Sequence, residues 1–408
     1  MSNWTTCEGS WQPSRRSMLA LGGLAMMSWC APTITQAQFA EKARDVLVVI
    51  FLRGGMDGLN FLVPRHEDDY FRERPSLALS SQATLKLTDE WGLHPAAGGI
   101  RQAWDDGQCA LVHACGSQDG SRSHFEAMKA METGRGSNRE TDRGGWLAQL
   151  LAATGGASHP LRALALADTL PDSLTGSPGS SAFRSLAEFE LQGGAETRAL
   201  LSRLYAQGDD QFTVAGQQTL ATLDALGKLD ERGYQPRGGA KYPDSDFGQA
   251  LRQAAMLIRA QVGLEVVSID RGGWDTHIAQ GSTQGLFTNN LSDLAAGIGA
   301  FRQDMGSDLD RVTIVVQTEF GRRVAENAGL GTDHGRASVA MVMSPHVRGG
   351  VHGRWPGLKP SQRDENADLI VANDYRDVIG EVIQRRLGLQ DTSGIFAGHL
   401  VRPLGLFA

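Results

Sequence analysis

The chain has 408 residues, of which 41% are hydrophobic and 21% charged, with 39 Lys and Arg against 46 Asp and Glu and a net charge of −7. Such a chain can bury a full core, which excludes intrinsic disorder as the default and allows one large domain or two ordinary ones. The acidic balance gives nothing to attract nucleic acid or an anionic membrane, and the 50 glycines, which follow no period, belong in turns rather than in a fibrous repeat.

The first 37 residues stand apart. "SRRSMLALGGLAMMSWCAPTITQA" joins paired arginines, Arg15 and Arg16, to an apolar stretch and a small-residue end at Thr35-Gln36-Ala37. This is an export signal of the twin-arginine type, which implies the twin-arginine machinery as a partner and a periplasmic or extracellular destination. The apolar run is shorter than the roughly 20 residues a membrane-spanning helix needs, so no stable span is expected. Trp29 is bulky where a lipid-modified cysteine would follow a small residue, which argues against lipidation of Cys30. Two basic residues and one acidic residue fall in this segment, leaving 37 against 45 and a net charge of −8 for the remainder. Cys7 and Cys30 leave with it. Cys109 and Cys115 share one apparent strand, about 20 Å apart when extended, and are expected to be free thiols.

Residues 38–408 alternate strand-like and helix-like segments. The β-branched run "DVLVVIFL" (Asp45 to Leu52) reads as a strand buried on both faces. A helix near "AAGGIRQAWDDG" follows, then strand "CALVHAC", helix "SHFEAMKAME" (Ser123 to Glu132), helix "GGWLAQLLAAT" and the short strand "RALALA". Next come the long helix "DFGQALRQAAMLIRAQVG", strand "LEVVSID" (Leu264 to Asp270) and helix "NNLSDLAAGIGAFRQDM". Strands "RVTIVVQ" (Arg311 to Gln317) and "ASVAMVMS" and the last helix "DYRDVIGEVIQRRLG" complete the order. Repeated β-then-α order implies a mostly parallel sheet covered by helices on both faces. From about residue 168 to 244 the pattern becomes helical and broken by Gly and Pro, which reads as an insertion over one end of the sheet, either a lid or substrate wall or a set of peripheral helices.

Ligands of an open parallel sheet bind beyond the carboxyl ends of its strands. There the chain places "RGGMDGLN", "GSQDGSRSHF", "RGGWDTH" and "TEFGRR", so that Asp57, His124, Asp275 with His277, and Glu319 converge on one edge. A lone "GGMDG" is ordinary turn chemistry. In "WDTH" the Asp and His are two apart in an irregular segment and can face one ion, or the His can bond its own loop. Asp333-His334, in "GTDHGRAS", is the sharpest pair. With the other loops it makes a mixed oxygen and nitrogen set suited to zinc or manganese rather than a soft thiolate site. His352, in "GGVHGRWPGL", is a further candidate nitrogen. "SHFE" is a capping box with Ser123 as N-cap and Glu126 three later; the same geometry would suit a nucleophile at a helix N-terminus. Arg53 and Arg322 flank two of the loops and are candidates to clamp a phosphate or sulfate. No G-x-G-x-x-G follows the first strand and no G-x-S-x-G occurs, which speaks against hydride transfer and ordinary esterase chemistry.

Taken in order, "FLRGGMDGLN", "RSHFEAMKAMETG", "GWDTH", "EFGRR" and "GTDHGRAS", with the twin-arginine signal, resemble the bacterial domain-of-unknown-function 1501 family from about Val46 to Leu389. That family is grouped with the alkaline phosphatase and sulfatase superfamily, three-layer α/β/α proteins with a bimetal site. The resemblance implies an alkaline phosphatase-like α/β domain, a divalent metal, and a small or polymeric phosphate or sulfate ester as substrate. Carried over by motif, Asp57 resembles the first metal-binding Asp, Ser123 the nucleophile, Asp275 and His277 one metal-binding pair, Asp333 and His334 the other, and His352 the late His. The sequence departs from that pattern in two places: Asp275 and His277 are closer than the usual pair, and Glu319 stands directly after its strand. Either Glu319 replaces the strand-end Asp or the loop has been rebuilt.

The expectation is therefore an exported metal-dependent hydrolase. A metal, with zinc favoured and manganese, calcium and magnesium open, polarises a phosphoryl or sulfuryl oxygen. A second metal or Arg53 offsets leaving-group charge, and Ser123 or a metal-activated water attacks in line. A non-catalytic cell-envelope binding or assembly protein on the same fold is the alternative, and a metal-dependent isomerase or transferase is a third class.

Overall fold

Seven consecutive apolar residues form strand β1 (Val46–Leu52), and all seven are buried. Their alternation feeds two cores, Val46, Val48, Ile50 and Leu52 facing one and Leu47, Val49 and Phe51 the other. A run without polar residues is what a strand covered on both faces requires. The computed structural model describes residues 44–135, 144–155, 161–177, 179–186, 191, 193–208, 210–227, 229, 231 and 233–408. The segment read as an export signal, with Cys7 and Cys30, lies outside them.

Beyond β1 the chain forms α1 (Gly58–Phe61), β2 (Leu62–Pro64), α2 (Asp68–Glu73), β3 (Leu85–Lys86), β4 (Trp91–Leu93), α3 (Gly98–Asp105) and β5 (Cys109–Gly116). Then come α4 (His124–Glu132), α5 (Trp146–Ala153), β6 (Ala163–Leu166), β7 (Ser180–Ala182), α6 (Gly194–Leu204), α7 (Gln211–Leu226) and α8 (Asp246–Arg259). The last part holds β8 (Val266–Arg271), α9 (Leu286–Met305), β9 (Val312–Gln317), β10 (Ser338–Met343), β11 (Gly350–His352), β12 (Asn373–Asp374) and α10 (Tyr375–Arg386).

The main sheet runs β11-β5-β10-β9-β1-β8-β6-β7, with β12 also paired to β5. Residues of α3, α8 and α9 cover one face, among them Ile100, Leu251, Leu257, Leu294 and Ile298. Trp146, Leu147 and Leu150 of α5 and Val378, Ile379, Val382 and Ile383 of α10 cover the other. This is the expected three-layer α/β/α arrangement. Cys109 and Cys115 are both on β5, buried and free.

One strand breaks the parallel order. β10 runs antiparallel to both neighbours, β9 and β5, whereas the other pairs in the main sheet are parallel. No helix forms between β9 and β10. Without a crossover the chain cannot return to the far end of the sheet, so it turns back where it left. The whole 318–337 loop therefore lies on the edge where β1, β5 and β8 also end, and it brings both Glu319 and His334 there.

Two other features were not legible from periodicity. A small antiparallel sheet, β2-β4-β3, has strands of two or three residues. The stretch read as a helical insertion contains β7, which extends the main sheet by pairing with β6, so its helical part is α6 and α7. Asp304, fully buried on α9, ties down the chain after these helices. It accepts from Tyr234 Oη at 2.7 Å, Tyr242 Oη at 2.8 Å, the Arg237 N–H at 2.8 Å and Arg259 Nη1 at 2.8 Å.

Candidate metal centre

Four loops meet at the carboxyl edge of the sheet, and buried Arg322 fixes three of them. Its Nε donates to Gly55 O at 2.7 Å, Nη1 to Thr332 O at 2.8 Å, and Nη2 to Gly54 O, to Trp274 O at 2.9 Å and to Asp275 Oδ1 at 2.7 Å. The loops are packed too tightly for side chains where they touch. Gly54 has φ +117°, and a Cβ there would lie 2.6 Å from the Asp275 backbone N. At Gly331 a Cβ would lie 2.3 Å from His277 O. The glycines beside these strand ends thus serve close loop packing.

Above this floor His124, His277 and His334 surround the Asp275 carboxylate. His277 Nε2 is 2.9 Å and His334 Nε2 3.1 Å from Asp275 Oδ1, while His124 Nε2 is 3.5 Å from Oδ2. The Nε2 atoms of His277 and His334 are themselves 2.9 Å apart. Each imidazole has an acceptor opposite its other nitrogen. His124 Nδ1 faces Glu319 Oε1 at 2.7 Å, His277 Nδ1 faces Asp333 Oδ1 at 3.0 Å, and His334 Nδ1 faces Arg122 O at 2.8 Å. With its proton on Nδ1, toward that acceptor, each imidazole would offer Nε2 as a lone pair to a cation. In that tautomer the Nε2 atoms of His277 and His334 crowd each other and the Asp275 carboxylate, an arrangement that a proton or a cation between them relieves. His124 Nε2 is buried without a hydrogen-bond partner. Oriented imidazoles whose far nitrogens bond carboxylates or carbonyls are what a metal site presents. The donor set, three nitrogens and one carboxylate, fits zinc or manganese.

The electrostatics agree with that assignment. Burial pushes the Asp275 carboxyl up, but the hydrogen bond and the charge of Arg322 outweigh it and hold the group at about 2. The Asn327 amide and His277 lower Asp333. The Glu319 bond raises His124, whereas burial lowers His334. Phe320 underlies the centre, its ring 4.9 Å from that of His124 and 4.8 Å from that of His334. The cluster opens to solvent through Asp275, whose side chain is 47% exposed. Phe125, Ile278 and Leu330, each close in sequence to one of the three histidines, are exposed large apolar residues.

The family profile described as "Protein of unknown function (DUF1501)" matches residues 44–394. The chain belongs to the DUF1501 family. No curated protein matches it. Among solved structures, this DUF1501 chain is similar to Ps i-CgsB in complex with k-i-k-neocarrahexaose, at 10% identity and a TM-score of 0.39, over 87% of this chain and 74% of that one. It is similar to the lipoteichoic acid synthase LtaP from Listeria monocytogenes, at 10% identity and TM-score 0.37, over 90% and 77% of the two chains. It is also similar to the phosphonate monoester hydrolase of Agrobacterium radiobacter, at 12% identity and TM-score 0.34, over 88% and 78%.

In this DUF1501 chain the sequence-derived candidates divide into three groups. Asp275, His277 and His334 come together as expected. Glu319 and Asp333 are present, but each carboxylate holds the Nδ1 of a histidine rather than facing the centre directly. Asp57, Arg53 and His352 are engaged elsewhere, and Arg322 bonds Asp275 within the centre. The buried Asp57 carboxylate caps α1 and accepts from Arg74 Nη1 at 2.6 Å and Gln280 Nε2 at 2.6 Å. Gln280 in turn accepts from Thr276 and Thr332, so Asp57 supports the site from below. Arg53 lies against Glu132 at 2.8 Å and Asp270 at 3.0 Å, which leaves it no anion to clamp. Arg322 is engaged by loop carbonyls and Asp275. His352 Nε2 bonds Arg348 O at 2.7 Å, on an edge strand that pairs with the first half of β5.

Ser123 occupies the N-cap of α4, but its side chain makes no capping bond, so the expected capping box does not form. Its neighbour His124, placed on this edge by the sequence but not among the ligands implied by the family resemblance, belongs to the centre. Among the described residues His124, Asp275 and His334 bring ligand atoms close enough together to hold an ion.

Proposed function

We propose that the protein is an exported metal-dependent hydrolase of phosphate or sulfate esters. The observation that carries this reading is the convergence of the His124, His277 and His334 Nε2 atoms on Asp275, with an acceptor at each Nδ1. His124, Asp275, His277 and His334 would hold the metal. A divalent ion held there supplies Lewis-acid polarisation of a phosphoryl or sulfuryl oxygen. The chain's own residues do the rest. Glu319, Asp333 and the Arg122 carbonyl keep the imidazole protons on Nδ1, and Arg322 holds Asp275 ionised and in place. Phe320 closes the underside against water. Ser123, exposed at the start of α4 beside His124, would act as the nucleophile. The exposed Phe125 and Ile278 favour esters with an apolar leaving group. The twin-arginine motif at Arg15 and Arg16 supports export, and no helix among the described residues is long and apolar enough to cross a membrane.

One observation favours the second reading, a metal-binding envelope protein without turnover: Ser123 has no side-chain partner among the described residues that could act as its base. The test is metal content followed by turnover. After loading, the wild type is expected to hold metal stoichiometrically and His334→Ala to hold almost none. A panel of aryl phosphates, phosphodiesters and aryl sulfates is then assayed with both. Stoichiometric metal with no turnover on any ester would remove the hydrolase reading in favour of the second, and absence of metal from the wild type would remove both.

A further inference from the structure

The loops of the centre carry five arginines, and four are already engaged. Arg53 pairs with Glu132 and Asp270, Arg122 with Asp368, Arg322 with Asp275 and loop carbonyls, and Arg323 with Asp368 at 3.2 Å and Asn366 O. Arg336 differs. Its backbone carbonyl accepts from Gly321 N, yet its guanidinium has no ion pair or hydrogen bond among the described residues, although the residue is half-buried. It lies two residues beyond His334 on the same loop. Its Nη1 is 3.8 Å from the position a Cβ would take on Gly120, so it reaches across to the loop that delivers Ser123 and His124. None of its nitrogens is among the buried side-chain atoms that lack a partner, so the guanidinium stays open to solvent and to a ligand. A tetrahedral oxyanion offers the geometry that its planar fork bonds with two parallel N–H groups. The need is plain, since Asp275, Asp333 and Glu319 would otherwise repel an anionic substrate.

We infer that Arg336 is the group that receives the anionic end of the substrate, a phosphate or sulfate monoester. It holds that end between the 331–338 loop and the 117–123 loop, while the four donors described above face the ester from the other side. The inference rests on the ester-hydrolase reading for the identity of the ligand, but its own claim is oxyanion binding by one named side chain. Because Gly120 leaves the guanidinium uncovered, a side chain there would also obstruct it.

The test is calorimetric titration of the metal-loaded full chain with inorganic phosphate and, separately, inorganic sulfate. Arg336→Ala is expected to weaken the better-bound anion by roughly 10- to 100-fold, the range for loss of a charge-assisted pair, with metal content and thermal midpoint unchanged. Arg336→Lys restores the charge without the fork and is expected to recover part of the loss. Arg323→Ala, whose guanidinium lies on Asp368, leaves anion affinity as in the wild type. The two anions distinguish a phosphate from a sulfate site. Equal affinity in wild type and Arg336→Ala would overturn the inference and leave the hydrolase reading standing, and so would a metal-loaded wild type that binds neither anion. Loss of anion binding in Arg336→Ala, in a protein that turns over no ester, would uphold the inference while the hydrolase reading fell.

Discussion

His277 and His334 present their Nε2 atoms to each other at 2.9 Å, while their Nδ1 atoms face Asp333 and the Arg122 carbonyl, the acceptors that draw the imidazole protons to that side. Two lone pairs at that separation need a positive charge between or beside them. Asp275 adds negative charge and does not relieve the repulsion. The contact is therefore the strongest mark of cation binding in the molecule, and it depends on what the outer nitrogens bond to. That dependence makes the outer carboxylates the informative places to intervene.

Glu319→Gln tests it at His124. A glutamine oxygen can still accept from Gly54 N and His124 Nδ1, the two bonds that Glu319 Oε1 makes at 2.7 Å and 2.7 Å, so the fold is retained while the charge is lost. The expected outcome is a fall in metal affinity of roughly 10- to 100-fold, read by competition with a chromogenic chelator. Unchanged affinity would mean that Glu319 does not orient a ligand.

Asp57 separates the observed centre from the one implied by family resemblance. Its carboxylate forms a buried ion pair with Arg74, and breaking such a pair from one side costs about 3–5 kcal/mol. Asp57→Ala should lose stability of that order in urea titration while binding metal at the wild-type ratio. Asp57→Asn, which keeps the N-cap and the size, serves if the alanine variant does not fold. Folded Asp57→Asn with no bound metal would show that Asp57 is a ligand after all.

The strands and helices that position the site were legible because each is a long run of one period. β1 is uniformly apolar, and α8 and α9 carry apolar faces over 14 and 20 residues. The edge on which the polar clusters fall followed from strand order. What periodicity could not give was the direction of β10, which depends on the absence of a helix in residues 318–337, or the partners of each polar group. Asp57 and Glu319 are both acids just beyond a strand end in a Gly-rich or aromatic loop. Only tertiary contacts distinguish them, Arg74 claiming one and His124 the other. Arg74 is 250 residues from Val324, whose carbonyl it also bonds, and nothing local announces a pairing of that length. Arg336 was not singled out for a related reason, since an arginine is recognised as uncommitted only after every nearby carboxylate has been placed.

Glu381 anchors the C-terminal segment. Its buried carboxylate on α10 accepts from the backbone N–H groups of Leu404 at 2.6 Å, Gly405 at 3.1 Å, Leu406 at 2.7 Å and Phe407 at 3.3 Å. Glu381→Gln turns one acceptor oxygen into a donor facing two of those groups. A loss of about 3 kcal/mol is expected, together with earlier proteolytic release of the last residues. Wild-type resistance to carboxypeptidase in the variant would show that the apolar contacts of Leu406 and Phe407 hold the segment alone.

His113 makes stability depend on pH. It is buried on β5, with Nε2 donating to Leu62 O at 3.0 Å and Nδ1 accepting from Ala114 N at 2.7 Å, so a second proton would break the Ala114 bond and set one donor against another. Burial lowers its pKa from 6.5 to about 3. A folded value below the unfolded one means that the unfolded chain binds the extra proton first. The stabilisation is thus complete above about pH 6.5 and is lost as pH falls from there toward 3, at up to about 1.4 kcal/mol per pH unit. His113→Gln can keep the bond to Leu62 and does not titrate. It should be less stable than wild type at pH 7, with the gap narrowing steadily at pH 6, 5 and 4 in urea titrations. Parallel stability curves for the two proteins over that range would show that His113 is not the group whose protonation weakens the fold.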